Sequence, residues 1–154
     1  MATETEATVR TDAETSPWRS ATIAALFAGV VMGLMIQFVM GIMPVIGALY
    51  GAPGIVTGWI AHLFHSVVFG LVYAAVVSRS SLANYATGAG SGAALGALYG
   101  VLVWVGAAAI VMPLWLGAVG MDAPPVPNFN PMSLVGHVVF GVLLGATYAV
   151  LRSR

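Results

Sequence analysis

The sequence has no cysteine and no lysine, and it has few charged residues of any kind. The absence of cysteine excludes disulfide bonds, thiolate metal sites and thiol catalysis. Only 6% of the 154 residues are charged and 60% are hydrophobic, whereas about 25% of an ordinary soluble domain is charged. A soluble fold of this length cannot hide so much apolar surface, so the composition predicts an integral membrane protein.

Acidic residues are almost absent beyond the first fourteen residues, which hold four of the five. The fifth, Asp122, lies in a proline-rich segment, and one acid in such a segment cannot form a catalytic triad or a carboxylate pair. The glycines at 88, 90 and 92 resemble a dinucleotide fingerprint only superficially, because a long apolar segment surrounds them and no strand precedes them. We therefore predict that the protein is not an enzyme, and we expect no nucleic-acid partner.

Four apolar segments are long enough to cross a bilayer, which takes about 20 helical residues. They cover residues 21–46, 57–77, 85–116 and 132–151. The acidic residues 1–20 before them lack periodicity and are predicted to form a disordered tail. A glycine-rich turn (47–54) and a loop with four prolines (117–131) separate the first from the second span and the third from the fourth. The predicted fold is an all-α bundle of four transmembrane helices.

The arginines predict the orientation of this bundle. Arg10 and Arg19 precede the first span, Arg79 lies between the second and third spans, and Arg152 and Arg154 follow the fourth. All of these places fall on one side of a four-span protein, and the loops of the other side have no basic residue. By the positive-inside rule both termini are cytoplasmic, in a multi-pass protein of the cell membrane.

An internal repeat relates the two halves of the chain. Residues 62–74 match residues 137–149 without a gap, with histidine, glycine, tyrosine and alanine at equivalent positions. A Gly-xxx-Gly pair and a Met-Pro pair recur between the first and third spans, the Met-Pro pair with a two-residue offset. Since a two-span unit returns the chain to its starting side, the sequence predicts two parallel two-helix repeats. Chance alignment of glycine-rich helices is the alternative.

Small residues recur every fourth position on three of the spans. They are Gly29 and Gly33 on the first span, Gly88, Gly92, Gly96 and Gly100 on the third, and Gly141 and Gly145 on the fourth. Helices in lipid associate through close backbone packing, which small residues permit. We expect this glycine zipper to hold the bundle together. The alternative is an interface for a homo-oligomer or a larger membrane complex.

His62, His65 and His137 are the only ionisable side chains inside the predicted spans, apart from tyrosines. An ionisable residue within a membrane is a functional hypothesis by default. If spans two and four face each other through their small residues, the imidazoles converge. They would then ligate a transition metal or haem iron, or pass protons. The alternative is that each one hydrogen-bonds a backbone carbonyl or water. The residues do not identify a particular cofactor.

Other polar and aromatic residues have expected roles near these histidines. Gln37, the lone amide of the first span, is predicted to form an interhelical hydrogen bond. Tyr73 and Tyr148 are assigned to an interfacial aromatic belt. The loop 117–131 is the expected lid if the histidines form a site.

The segment GHVVFGVLLGATY at residues 136–148, repeated loosely at 61–73, resembles a motif in a family of small four-helix membrane proteins. These proteins are common in salt-loving archaea and are distantly like the YagU-type inner-membrane proteins of bacteria. The resemblance implies the bundle and the membrane location, and it supplies no reaction or ligand.

Two functions follow as hypotheses. The first is a non-enzymatic accessory protein that stabilises or scaffolds a larger membrane complex. The second is small-solute or proton transport, or haem or metal binding, by the three histidines near the outer face.

Overall fold

The computed structural model describes residues 16–153, which form helices and turns and no β-strand. Four helices are long and apolar enough to cross a membrane, namely Pro17–Met40, Ile55–Ser78, Ala89–Ala118 and Pro131–Arg152. The α-helical parts are α1 (Pro17–Met35), α2 (Met43–Ala48), α3 (Ile55–Ser78), α4 (Ala89–Val103), α5 (Met112–Ala118) and α6 (Pro131–Arg152). The predicted all-α fold with four transmembrane helices is confirmed.

Two spans contain π-helical segments, in which backbone hydrogen bonds reach one residue further than in an α-helix. One segment, Ile36–Met40, continues α1, and the other, Trp104–Val111, joins α4 to α5. The first span ends at Met40 because Gly41 adopts a left-handed conformation with φ of 69°, as is usual after a helix C-terminus. The predicted first span, which continued to residue 46, is therefore too long.

Two other predicted boundaries differ by four residues from the observed helices. The predicted tail extended to residue 20, but residues 17–20 form the first turn of α1, where Pro17 needs no hydrogen-bond partner for its nitrogen. The remainder of the predicted tail, residues 1–15, lies outside the described residues. The third predicted span began at residue 85, but Ser81–Tyr85 form a separate 3₁₀ turn, and α4 begins at Ala89.

The outward faces of the four long helices carry large apolar side chains. Examples are Phe38, Ile60, Phe64, Leu98 and Leu102, each at least 59% exposed. Soluble monomers rarely expose so much contiguous apolar surface. These faces suit contact with lipid tails, in keeping with a multi-pass membrane protein.

Helix α6 packs against α4 along a row of glycines. A Cβ atom added at Gly96 would collide with the backbone carbonyl of Gly141, and one added at Gly92 would meet the carbonyl of Gly145. Gly100 lies in the same way against the carbonyl of His137. Only glycine permits this approach of two backbones.

Helix α1 lies between α3 and α6 and packs against both. On its α3 side, Gly29 lies against Ser66, and Gly33 lies against the Trp59 ring. Gly88, which the spacing grouped with the packing glycines, is instead the exposed N-cap of α4, where a Cβ would meet only the hydroxyl of Ser91.

Helices α3 and α6 do not approach each other through their small residues, which was the condition set for the imidazoles to converge. The small residues of α3 face α1, whereas Gly141 and Gly145 of α6 face α4. Helices α3 and α6 meet instead through larger side chains, including the rings of Tyr73 and Tyr148, whose centroids are 5.6 Å apart.

Tyr73, Tyr99 and Tyr148 form an aromatic cluster inside the bundle, away from α2 and α5. Tyr73 and Tyr148 are 1% and 3% exposed, so their assignment to an interfacial belt is wrong. The hydroxyl of Tyr99 donates to the Phe69 carbonyl at 2.6 Å. The hydroxyl of Tyr73 is fully enclosed and has no hydrogen-bond partner among the described residues.

The contrast between these two hydroxyls gives a stability prediction. Tyr73→Phe removes a buried polar group that has no partner, so the variant is expected to unfold at the wild-type temperature or above it. Tyr99→Phe removes a satisfied hydrogen bond and is expected to lower the free energy of unfolding by about 1 kcal/mol. Thermal denaturation of the two variants in detergent measures the difference. Equal destabilisation by both variants would contradict the assignment.

Candidate functional site

A cavity of about 210 Å³ lies between the helices at the end of the bundle that carries α2 and α5. All three histidines line it, together with Ser66 and Ser133, and apolar side chains form most of its wall. We call it the histidine cavity. The sequence therefore identified three residues that the fold brings to one space, although their helices α3 and α6 do not pack closely.

His62 is the most enclosed of the three histidines, with 6% of its surface exposed. Its Nε2 lies 2.9 Å from the carbonyl oxygen of Gly29 on α1. A carbonyl only accepts, so this nitrogen carries the proton and donates. The approach is possible because α1 presents a glycine there. The hydroxyl of Ser66 donates at 2.8 Å to the His62 carbonyl, one turn earlier on the same helix.

His137 also donates to a backbone carbonyl, but from Nδ1 rather than from Nε2. Its Nδ1 lies 2.8 Å from the carbonyl oxygen of Ser133, one turn earlier on α6. The proton of the neutral ring is therefore on Nδ1, and Nε2 retains its lone pair. His62 and His137 are thus held in opposite tautomers by their different backbone partners.

His65 belongs to an aromatic group at the α2 end of the cavity. Its Nε2 is 2.6 Å from the hydroxyl of Tyr50, in the turn after α2. The Tyr50 ring also contacts Trp115 of α5, with the centroids 5.3 Å apart. Ile46 and Leu49 add apolar surface to the same region. Contacts among these side chains join α3 to α5 across a side of the bundle where the backbones do not pack closely.

The second π-helical segment supplies the opposite wall, with Ala107 and Ala108. Short side chains leave the space that the cavity occupies. Phe69 and Phe140 line it as well, and the hydrogen bond from Tyr99 to the Phe69 carbonyl joins α4 to α3 beside it.

The loop 117–131 is not a lid, because none of its residues lines the cavity. The loop is instead fixed to the second π-helical segment, where the Asn128 N–H donates to the Ala109 carbonyl at 2.8 Å. Pro113 has no N–H, so it cannot supply the bond that an α-helix would give to Ala109. The ring of Phe129 packs on Trp104, with centroids 5.5 Å apart.

The predicted interhelical hydrogen bond of Gln37 is confirmed. Its Oε1 accepts from the indole N–H of Trp59 on α3 at 2.5 Å. Trp59 also packs edge to face on His62, with centroids 6.2 Å apart. Gln37 therefore helps to position the helix turn that carries His62, although it does not line the cavity.

The described residues contain no group of three or more histidines and acids arranged to hold a metal ion. Coordination of one metal by all three histidines therefore has no geometric support. Asp122 is the only acid among the described residues, and it lies outside every helix. With no carboxylate to balance an imidazolium within the membrane, we treat the histidines as neutral.

Comparison with known proteins gives no match: no family model, curated protein or solved structure is similar to this chain. The resemblance to small haloarchaeal membrane proteins stays a prediction.

Several cavity residues were missed from the sequence. Ala107 and Ala108 of the cavity wall come from a π-helical segment that has no recognisable pattern. Tyr50, which contacts His65 beside the cavity, comes from a turn. The Met-Pro pair at 112–113 was the available signal, because a proline removes one helical hydrogen bond and favours such a deviation.

Proposed function

We propose that this protein binds a small, mostly apolar molecule within the membrane, in the histidine cavity. The observation that carries this proposal is that His62, His65 and His137, from two different helices, line one apolar space. Ligand sites in membrane and soluble bundles commonly lie between helices and combine apolar walls with a few polar groups. The protein would act as a binding or transport protein rather than as an enzyme.

The volume of the cavity limits the ligand. An engineered cavity of about 150 Å³ in a protein core binds benzene. A cavity of about 210 Å³ therefore suits one ring with short substituents. A porphyrin joins several such rings and is too large, so the size disfavours the haem interpretation of the histidines.

We also infer that the chain is a duplicated two-helix unit, as the sequence predicts. Three contacts between α1 and α3 have counterparts between α4 and α6 at the aligned positions. They are Ala25 with Gly70, Gly29 with Ser66 and Gly33 with His62 in the first pair, and Gly92 with Gly145, Gly96 with Gly141 and Gly100 with His137 in the second. A π-helical segment lies shortly before each Met-Pro pair. The longer second segment coincides with the two-residue offset between the copies.

The arginine distribution supports cytoplasmic termini. In that orientation the histidine cavity lies in the outer half of the membrane, because α2 and α5 are at the end opposite the termini. A ligand would then enter from the outer leaflet or the outer aqueous phase. The accessory role in a larger membrane complex remains the alternative hypothesis, and no contact in the bundle favours it specifically.

A cavity-filling variant tests the binding function. In Ala108→Phe a ring occupies the histidine cavity and leaves all three histidines in place. The matched control is Ala94→Phe on α4, where the exposed position faces away from the cavity. We expect a small molecule to co-purify with the wild type and the control, and to be lost from Ala108→Phe. Native mass spectrometry and solvent extraction of detergent-purified protein measure this.

The absence of any co-purified small molecule from the wild type, with unchanged capture of a membrane protein partner by Ala108→Phe, would overturn the proposal. That result would favour the accessory role.

A further inference from the structure

We propose that the ligand of the histidine cavity is a single-ring compound with a hydroxyl group, which donates its O–H to His62 or His137. This inference rests on the proposed binding function and deepens it. It follows from which nitrogen atoms of the two imidazoles are already occupied.

The N–H groups of both imidazoles are committed to backbone carbonyls. His62 donates from Nε2 to Gly29, and His137 donates from Nδ1 to Ser133. A neutral imidazole has one N–H and one lone pair. The remaining atoms, Nδ1 of His62 and Nε2 of His137, are therefore hydrogen-bond acceptors only.

These two acceptors have no protein partner among the described residues, and neither is fully enclosed. The enclosed polar side-chain atoms that lack a partner are Ser20 Oγ, Tyr73 Oη and Trp104 Nε1. Both nitrogen atoms therefore have accessible surface, and both residues line the histidine cavity. A ligand that lacks a donor would leave them unpaired, at a cost that an apolar site makes large.

His65 differs from the other two histidines. Its Nε2 is occupied by the Tyr50 hydroxyl, so this nitrogen is not available to a ligand. Where the Tyr50 hydroxyl donates to Nε2, the ring proton lies on Nδ1, so His65 offers a ligand a donor and no acceptor. In that tautomer His65 is the internal control for His62 and His137, because it lines the same cavity.

Three ring compounds of similar size separate the contributions to binding. Toluene tests the apolar cavity alone, 4-methylphenol adds a donor, and 4-methylanisole replaces that donor with a methyl ether that can only accept. We expect the wild type in lipid nanodiscs to bind 4-methylphenol about tenfold more tightly than 4-methylanisole, the effect of about one hydrogen bond. We expect His62→Phe/His137→Phe to bring this ratio close to one, and His65→Phe to leave it unchanged.

The outcomes distinguish this inference from the proposed function. If none of the three compounds binds the wild type, the cavity is not a binding site and both proposals fail. If toluene binds and the phenol binds no better than the ether, binding stands and the hydroxyl inference is overturned. A preference for the phenol that survives in His62→Phe/His137→Phe would also overturn it. Toluene binding by the double variant shows that the variant has kept its fold.

Discussion

Gly96→Ala is expected to destabilise the bundle by about 3 kcal/mol or more, the upper range for overpacking a well-packed core. The added Cβ would collide with the backbone carbonyl of Gly141 and lie close to the Cα of Gly145. Backbone atoms cannot rotate away as a side chain can, so α4 and α6 must separate along their whole glycine row. The measurement is the thermal unfolding midpoint in detergent.

Gly106→Ala is the matched control for this prediction. Gly106 lies in the same span, and a Cβ there would meet open space. Because alanine favours a helix more than glycine does, we expect no loss and a gain of up to about 1 kcal/mol. If the two substitutions lowered the midpoint equally, the close packing of α4 on α6 would be wrong.

Gly58→Ala is expected to damage the cavity more than the bundle. A Cβ at Gly58 would collide with the backbone carbonyl of Met43, the first residue of α2. Helix α2 must then move away from α3. This movement displaces Ile46 on α2 and Leu49 just after it, and both side chains line the cavity. We expect toluene binding to weaken by about tenfold or more, the loss of roughly one fully buried side chain.

The four-helix core should survive this change, because α2 is not one of the spans. We therefore expect the unfolding midpoint of Gly58→Ala to fall less than that of Gly96→Ala. Gly117→Ala is the control in α5, since its Cβ would make only an ordinary contact with Ala123. Wild-type toluene affinity in Gly58→Ala would show that α2 is not part of the wall of the binding site.

The fold class could be predicted because length and hydropathy alone determine it in a membrane. Which helices pack together could not be predicted, because a glycine row shows that a close contact exists but not its partner. Gly141 and Gly145 were expected to pack within the bundle, and only the structure shows that their partner is α4. The position of α1 between α3 and α6 decides this, and no sequence pattern encodes it.

The tyrosines show a different limit. Tyr73 follows His62 by eleven residues, which is close to three full helical turns. The two side chains therefore share one face of α3, and a buried histidine implies a buried tyrosine. The depth of Tyr73 along its helix suggested the membrane interface. Its position around the helix, on the same face as His62, instead indicates burial inside the bundle.

The three histidines were selected because ionisable residues are rare in the spans, and the fold places them on one cavity. Their individual roles could not be predicted. The bond from His62 depends on α1 presenting Gly29, and that of His65 depends on Tyr50 in a turn between helices. Both partners are distant in the sequence.

The most direct test of this account is nitrogen NMR of the protein with ¹⁵N-labelled histidine, since the chain has three histidines. We predict that His62 carries its proton on Nε2 and His137 on Nδ1. Saturating 4-methylphenol should then shift the unprotonated nitrogen of at least one of these rings and leave Nε2 of His65 unaffected. The same tautomer in His62 and His137, or no shift on addition of the phenol, would contradict the account.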